Sequence, residues 1–246
     1  MPQPRKHSPA HATARARYVA YLVHLYTASG ALVAALAARS IFADDYRTAF
    51  LLISIAVAID ATDGTLARHF HVKRVCPHID GRTIDDIVDY LNYTFIPILL
   101  ICHAGWLPDP VWVWAAFPLA ASLFGFAHTG AKEERHGFFR GFPSYWNIVA
   151  FYVAVWLHGC GPNTVLAVIL GLSLLNVLPV YFVYPNRPPK WASLFVGGAV
   201  VWLAIVLWMV YQYPTVDQRL LAISLIYPIV YVVLSIYLDY ESRRRK

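Results

Sequence analysis

Acidic residues occur at regular spacing in two neighbouring apolar stretches of the sequence. Asp60 and Asp63 are three residues apart, and Asp85 and Asp89 are four apart. Each pair therefore lies on one face of a helix if the stretches are helical. A carboxylate at membrane depth costs about 2.5–3.5 kcal/mol on insertion scales, so such residues normally mark a functional interior. Two antiparallel neighbouring helices would present all four carboxylates at the same depth.

Four carboxylates at one site need a positive partner, because like charges at short range disfavour joint ionisation. Oxygen ligands suit hard divalent cations rather than zinc. We therefore predict that Asp60, Asp63, Asp85 and Asp89 bind Mn²⁺ or Mg²⁺, as two ions that clamp a pyrophosphate. The same spacing turns Asp86 away from the site, where an aspartate in the first turn of a helix stabilises the helix dipole.

The composition is that of a membrane protein. Of 246 residues, 59% are hydrophobic and 14% charged, whereas soluble domains carry roughly 25% charged residues. We predict an all-α, polytopic integral membrane protein with about eight transmembrane helices, forming a single catalytic domain over 1–246. A basic cytoplasmic or interfacial segment, 1–17, precedes the first span. The predicted spans are Tyr18–Phe42, Thr48–His69, Ile84–His103, Val111–Ala131, Tyr145–Leu157, Asn163–Tyr184, Trp191–Tyr213 and Gln218–Asp239.

Basic residues indicate the orientation of these spans. Of the 20 Lys and Arg residues, all but Arg39, Arg47 and Arg219 fall in the termini and loops of one side. Positive residues collect on the cytoplasmic side, so both termini and the acidic cluster are predicted to be cytoplasmic. Anionic lipid headgroups account for the formal charge of +6, and no nucleic-acid partner is expected.

The acids belong to a longer motif, Asp-x2-Asp-Gly-x2-Ala-Arg followed by Gly-x3-Asp-x3-Asp. It resembles the signature of the CDP-alcohol phosphotransferase family. The segment between the two halves is twelve residues long, which is longer than is usual in that family. This length, the eight spans and the run Gly141-Phe-Pro-Ser-Tyr-Trp-Asn147 are similar to its bacterial phosphatidylcholine synthase branch. The matched positions are Asp60, Asp63, Gly64, Ala67, Arg68, Gly81, Asp85 and Asp89.

The resemblance implies the fold of that family and a metal-dependent transfer of the phosphatidyl group from CDP-diacylglycerol to choline, with release of CMP. It implies that Asp89 acts as the general base for the acceptor hydroxyl. It also implies a homodimer among lipids of the bacterial inner membrane, with the active site facing the cytoplasm. The residues expected to contact the CDP moiety are Gly64, Ala67, Arg68 and Gly81.

A choline site needs aromatic faces or acids, because choline carries a quaternary ammonium. Residues near the acidic motif or on the same side of the membrane that could supply them are Glu133, Glu134, Tyr145, Trp146, Tyr90 and Tyr93. Basic residues on that side, Lys132, Arg135 and Arg140, could instead bind a phosphorylated acceptor. Serine, inositol phosphate or glycerol phosphate therefore remain alternative acceptors, as does transfer from CDP-choline to diacylglycerol.

A cation transporter is an alternative from a different class of protein, since acids within spans can also form a permeation site. Transporters more often place such acids at the bilayer midplane, at broken helices in two related halves. Here the acids lie at predicted helix ends and the sequence shows no internal repeat. These features favour the enzyme.

Overall fold

Long helices dominate the computed structural model, which describes residues 13–128, 132–133, 138–183 and 190–244. Within those residues, four stretches are long and apolar enough to cross a membrane. They are α1 (Ala14–Phe42), α2 (Tyr46–His69), α9 (Ala192–Gln212), and α10 (Gln218–Ser224) continued by α11 (Ile226–Arg244). The prediction of an all-α polytopic membrane protein is confirmed.

Three shorter apolar helices and one composite helix account for the other predicted spans. The composite follows the short helix α3 (Val72–Val75) and consists of α4 (Gly81–Asp89), a π-helical turn (Tyr90–Phe95) and α5 (Ile96–His103). The shorter helices are α6 (Val111–Ala127), α7 (Trp146–Val155) and α8 (Pro162–Val177). Each of the eight predicted spans thus contains helix, although several ends differ by a few residues. Of the predicted basic segment, residues 1–12 lie outside the described residues.

One strand of a small antiparallel sheet occupies the end of the predicted sixth span. Its strands are β1 (Lys132–Glu133), β2 (Phe138–Arg140) and β3 (Tyr181–Val183), and β2 pairs with both others. The prediction of helix to Tyr184 in this span is wrong over 178–183. Pro179 lacks an amide hydrogen and disfavours the helical conformation of Leu178, whose ψ is 148°.

The apolar core joins α1, α2, α5, α7 and α9. Ile41, Leu100 and Met209 are completely buried within it. Phe50 and Phe151 meet edge to face with ring centroids 5.4 Å apart, an arrangement that aromatic quadrupoles favour. This packing fixes the relative positions of the helices that carry the acidic motif.

Helix α1 packs against both helices of the acidic motif. At its contact with α4, Gly30 has no side chain, and a Cβ there would lie 2.5 Å from Val88 Cγ1. Asn92, which is 2% exposed, donates hydrogen bonds of 3.0 Å to the carbonyl oxygens of both Gly30 and Val88. The two backbones are therefore held in close contact by a small residue and a buried amide.

We expect Gly30→Val to lower the free energy of unfolding by about 1–3 kcal/mol, since it would overpack the contact between α1 and α4. Gly171→Val is the matched control, because a Cβ at Gly171 has no atom within 4 Å and valine is not a worse helix former than glycine. Thermal unfolding in detergent measures both. Equal midpoints for the two variants would contradict the close contact.

Candidate active site

Three of the four predicted acids meet between α2 and α4. Asp60 lies on α2, and Asp85 and Asp89 lie one turn apart on α4. One carboxylate oxygen from each of the three lies within 4.8 Å of the other two, and all three side chains are half-buried. The spacing of four residues places Asp85 and Asp89 on the same face of α4, where Asp60 approaches them from the neighbouring helix.

Asp63 is not part of this group of three carboxylates. It lies on α2, three residues beyond Asp60, and its side chain is only 6% exposed. The structure therefore brings together three of the predicted metal ligands and keeps the fourth buried beside them.

A tyrosine hydroxyl orients one member of the group. Tyr93 Oη donates a hydrogen bond of 2.7 Å to Asp60 Oδ2. Tyr93 lies in the π-helical turn, where the amide of Ile96 reaches the carbonyl of Leu91, five residues earlier. Such turns are frequent at functional sites, and here the turn holds a side chain from the third span against an acid of the second. The bond to a charged acceptor is of the strong class.

The carboxylate just before α4 belongs to the helix rather than to the site. Asp80 accepts hydrogen bonds of 3.1 Å from the Thr83 hydroxyl and from the Arg82 amide. These bonds lower the pKa of the Asp80 carboxyl, since they favour its charged form. The cap starts α4 at Gly81, which sets Asp85 and Asp89 on their shared face.

The small residues and the arginine of the motif do not line the cavity that adjoins the acids. A Cβ at Gly81 would lie 2.9 Å from the His24 ring of α1, so Gly81 permits α4 to approach α1. Ala67 packs on a second apolar cluster that contains Val72 and Cys76. A Cβ at Gly64 would lie 3.3 Å from Arg68, which is exposed and donates to the Thr65 hydroxyl at 3.0 Å.

A cavity of about 290 Å³ opens directly beside the acids. Asp60 and Asp89 form part of its wall, and much of the remainder is aromatic. The aromatic side chains are Tyr93, Phe126, Phe139, Phe142 and Tyr145. The cavity therefore joins carboxylates to ring faces, a combination that suits a small organic cation bearing a polar group.

Two of the predicted choline residues reach this cavity. The rings of Tyr93 and Tyr145 lie 6.3 Å apart, inclined at 50°. A third predicted choline residue, Trp146, does not line the cavity. It is completely buried, and its indole N–H donates to Ser122 at 2.8 Å.

Of the other three predicted choline residues, only Tyr90 has a described side chain, and it does not line the cavity. The Tyr90 hydroxyl donates to the carbonyl of Leu119 on α6 at 3.2 Å. For Glu133 only the backbone in β1 is described, and Glu134 lies outside the described residues. These choline assignments remain predictions.

Several residues of the cavity were not assigned to the site from sequence. Arg82 pairs with Asp86 at 3.6 Å, and both line the cavity although the helical spacing turned Asp86 away. Arg140 of β2, which the sequence offered only for a phosphorylated acceptor, lies 3.0 Å from His128. No spacing rule relates β2 or α8 to the motif, so the fold alone brings them to the cavity.

The donor set fits a hard divalent cation. Asp60, Asp85 and Asp89 supply oxygen ligands from three carboxylates that repel one another without a cation. Two arginines on the adjoining cavity would complement a bound phosphate. The residues present therefore suit Mg²⁺ or Mn²⁺ together with a phosphate-bearing substrate.

A second hollow, of about 530 Å³, lies at the other end of α7. It is lined by Val155, Gln212 and the turn over 214–218. Its acid, Asp217, caps α10 through the amides of Arg219 and Leu220. None of the other described residues that line this hollow is acidic, so the first cavity is the candidate site.

Curated proteins from several bacteria are similar to this chain over most of its length. A phosphatidylcholine synthase of Legionella pneumophila is 38% identical over 234 residues, 91% of this chain and 89% of the relative. That of Borreliella burgdorferi is 31% identical over 92% of this chain and 97% of its own. That of Pseudomonas aeruginosa is 37% identical over 75% and 76%, respectively. No protein-family model and no solved structure matches the chain.

We expect the purified protein to bind Mn²⁺ and Asp85→Asn to weaken that binding at least tenfold, because one of three charged ligands is lost. Asp86→Asn is the matched control on the next position of α4, expected to change the affinity less than threefold. Titrations followed by electron paramagnetic resonance measure bound and free Mn²⁺. Wild-type affinity in Asp85→Asn would contradict the assignment of ligands.

Proposed function

Because this chain belongs to the phosphatidylcholine synthase family, we propose that it transfers the phosphatidyl group of CDP-diacylglycerol to choline. The chain is an enzyme by this membership, and the transporter alternative is set aside. The observation that carries the proposal is the group of three carboxylates beside an aromatic cavity. The resemblance of the motif to CDP-alcohol phosphotransferases supports the same donor.

Asp89 is proposed as the general base. It belongs to the acidic group and also lines the cavity, so an alcohol in the cavity can present its hydroxyl to this carboxylate. The choline O–H bond breaks as Asp89 takes the proton. The oxygen forms a bond to the phosphorus attached to diacylglycerol, and the bond from that phosphorus to CMP breaks with its electron pair on CMP. Positioned bases of this kind contribute typically 10²–10⁴-fold.

The aromatic wall, formed by the cavity-lining rings of Tyr93, Phe126, Phe139, Phe142 and Tyr145, is proposed to bind the quaternary ammonium. Tyr93 and Tyr145 present rings at the same cavity as Asp89, so an alcohol can place its cation on the rings and its hydroxyl on the carboxylate. Cation–π contacts of a desolvated ammonium are worth about 2 kcal/mol. Tyr93 also donates to Asp60 and thereby couples the wall to the acidic group.

Asp60, Asp85 and Asp89 would hold the divalent cations, with Asp63 beside them. Such ions, when bound, neutralise charge on the diphosphate and on the departing phosphate. Arg82 and Arg140 are proposed to bind phosphate oxygens of the donor, for which the planar guanidinium is well shaped. In this proposal the site faces the cytoplasm of the bacterial inner membrane. The homodimer remains a prediction.

Purified protein is expected to release CMP from CDP-diacylglycerol when choline is added and to stop after EDTA, with recovery on Mn²⁺ or Mg²⁺. A panel of serine, inositol phosphate and glycerol phosphate tests the alternative acceptors, of which the phosphorylated ones suit the two arginines. CDP-choline with diacylglycerol tests the reversed donor. CMP release with another acceptor and not with choline would overturn the proposed function. Activity that EDTA does not change would exclude the proposed role of the divalent cation.

Asp89→Asn is expected to lower the turnover number at least 100-fold at saturating Mn²⁺, because the amide cannot accept the hydroxyl proton. Asp86 lies three residues before Asp89 on α4 and outside the acidic group. The turnover number of Asp86→Asn is therefore expected to stay within tenfold of the wild type. Both proteins should elute as single species in detergent. Wild-type turnover by Asp89→Asn would exclude Asp89 as the base.

A further inference from the structure

A buried polar network joins three helices at the cavity, and two of its members, Ser144 and Asn176, line the cavity wall. Asn176 in the last turn of α8 donates to Ser144 Oγ at 2.7 Å, and Ser144 Oγ donates to Ser122 Oγ of α6 at 3.1 Å. The Trp146 indole at the start of α7 donates to the same Ser122 oxygen at 2.8 Å. None of these four side chains is more than 6% exposed. Buried hydrogen-bonded groups of this kind resist displacement, because separation leaves polar atoms unpaired.

Ser144 has a backbone conformation that is uncommon for its residue type. Its φ is +57°, in the left-handed region that L side chains disfavour. Its hydroxyl is hydrogen-bonded to Asn176 and Ser122, and its carbonyl oxygen accepts from the Trp146 amide at 2.8 Å. Tyr145 follows directly, so the conformation of Ser144 sets the direction of a ring that forms the aromatic wall.

Glycines let Asn176 approach this segment. A Cβ at Gly125 would lie 2.6 Å from Asn176 Oδ1, and one at Gly141 would lie 2.3 Å from the Asn176 carbonyl oxygen. The amides of Gly141 and Phe142 donate to the carbonyls of Val180 and Leu175 at 2.7 and 3.1 Å. The segment 141–145 is thus fastened along the end of α8, which itself carries none of the acidic motif.

We propose that Asn176 is a positioning residue that sets acceptor affinity: through Ser144 it holds Tyr145 opposite Tyr93, so that the two rings receive the quaternary ammonium. This inference rests on the proposed function. Asn176 acts at the wall that receives the alcohol and leaves the acids of α2 and α4 untouched. Its loss should therefore affect the acceptor and spare the donor.

The test is CMP release with choline and CDP-diacylglycerol varied separately. Asn176→Ala and Ser144→Ala are expected to raise the KM for choline at least fivefold, with the KM for CDP-diacylglycerol within twofold and kcat within threefold. Ser173→Ala is the matched control. Ser173 is equally buried on α8, but its hydroxyl donates to Ile169 of its own helix, so both KM values should stay within twofold.

Glycine at position 144 separates positioning from direct contact. Glycine adopts the left-handed conformation without steric cost, so Ser144→Gly should raise the KM for choline less than Ser144→Ala. When Ser144→Gly is added to Asn176→Ala, the KM for choline should fall at least twofold below that of Asn176→Ala alone. A double variant no better than Asn176→Ala alone would mean that Asn176 contacts the substrate itself and would overturn the positioning role.

Each variant is checked for a single elution peak in detergent, and Ser144→Ala, which retains Asn176, carries the test if Asn176→Ala does not fold. An unchanged KM for choline in these variants, or equal rises in both KM values, overturns the inference. Choline-dependent CMP release by the wild type upholds the proposed function in either case. A wild-type protein without choline-dependent CMP release overturns both.

Discussion

Mutual repulsion among three carboxylates is the constraint that the rest of the structure has to satisfy. Asp60, Asp85 and Asp89 approach within 4.8 Å, and like charges this close disfavour joint ionisation without a cation. The acids remain together because α1 packs on both α2 and α4, with Gly30 and Asn92 fixing one contact. Apolar packing and a buried amide thus maintain an arrangement that the charges alone would disperse, and this arrangement is the one that we propose to bind a divalent ion.

The acidic site could be predicted from sequence because it depends on spacing within single helices. Asp85 and Asp89 share a face of α4 as four-residue spacing requires, and the tyrosine at 93 was expected near them. The position of Asp63 could not be predicted, since small displacements between helices decide which of two acids on one face joins the group. Asp86 lines the cavity although it lies off the face of α4 that carries Asp85 and Asp89.

The opposite wall of the cavity depends on long-range contacts and could not be predicted. Arg140 comes from a strand, Asn176 from the end of α8 and Phe126 from α6, and no periodicity relates these segments. The hydrophobic pattern that predicted the spans could not predict where α8 ends. Residues 178–183 are largely apolar, so they suit a membrane helix as well as a buried strand, and Pro179 was the local signal against helix.

The π-helical turn has a consequence for how this region tolerates change in chain length. A π-helical turn accommodates one residue more than a regular α-helix between the same two ends. A chain shorter by one residue within 90–95 would form an unbroken α-helix, with α4 and α5 still seated on their neighbours. Tyr93 would turn away from Asp60. A deletion of one residue here would therefore change the chemistry of the protein while leaving its architecture intact, the reverse of the usual effect of a deletion inside a helix.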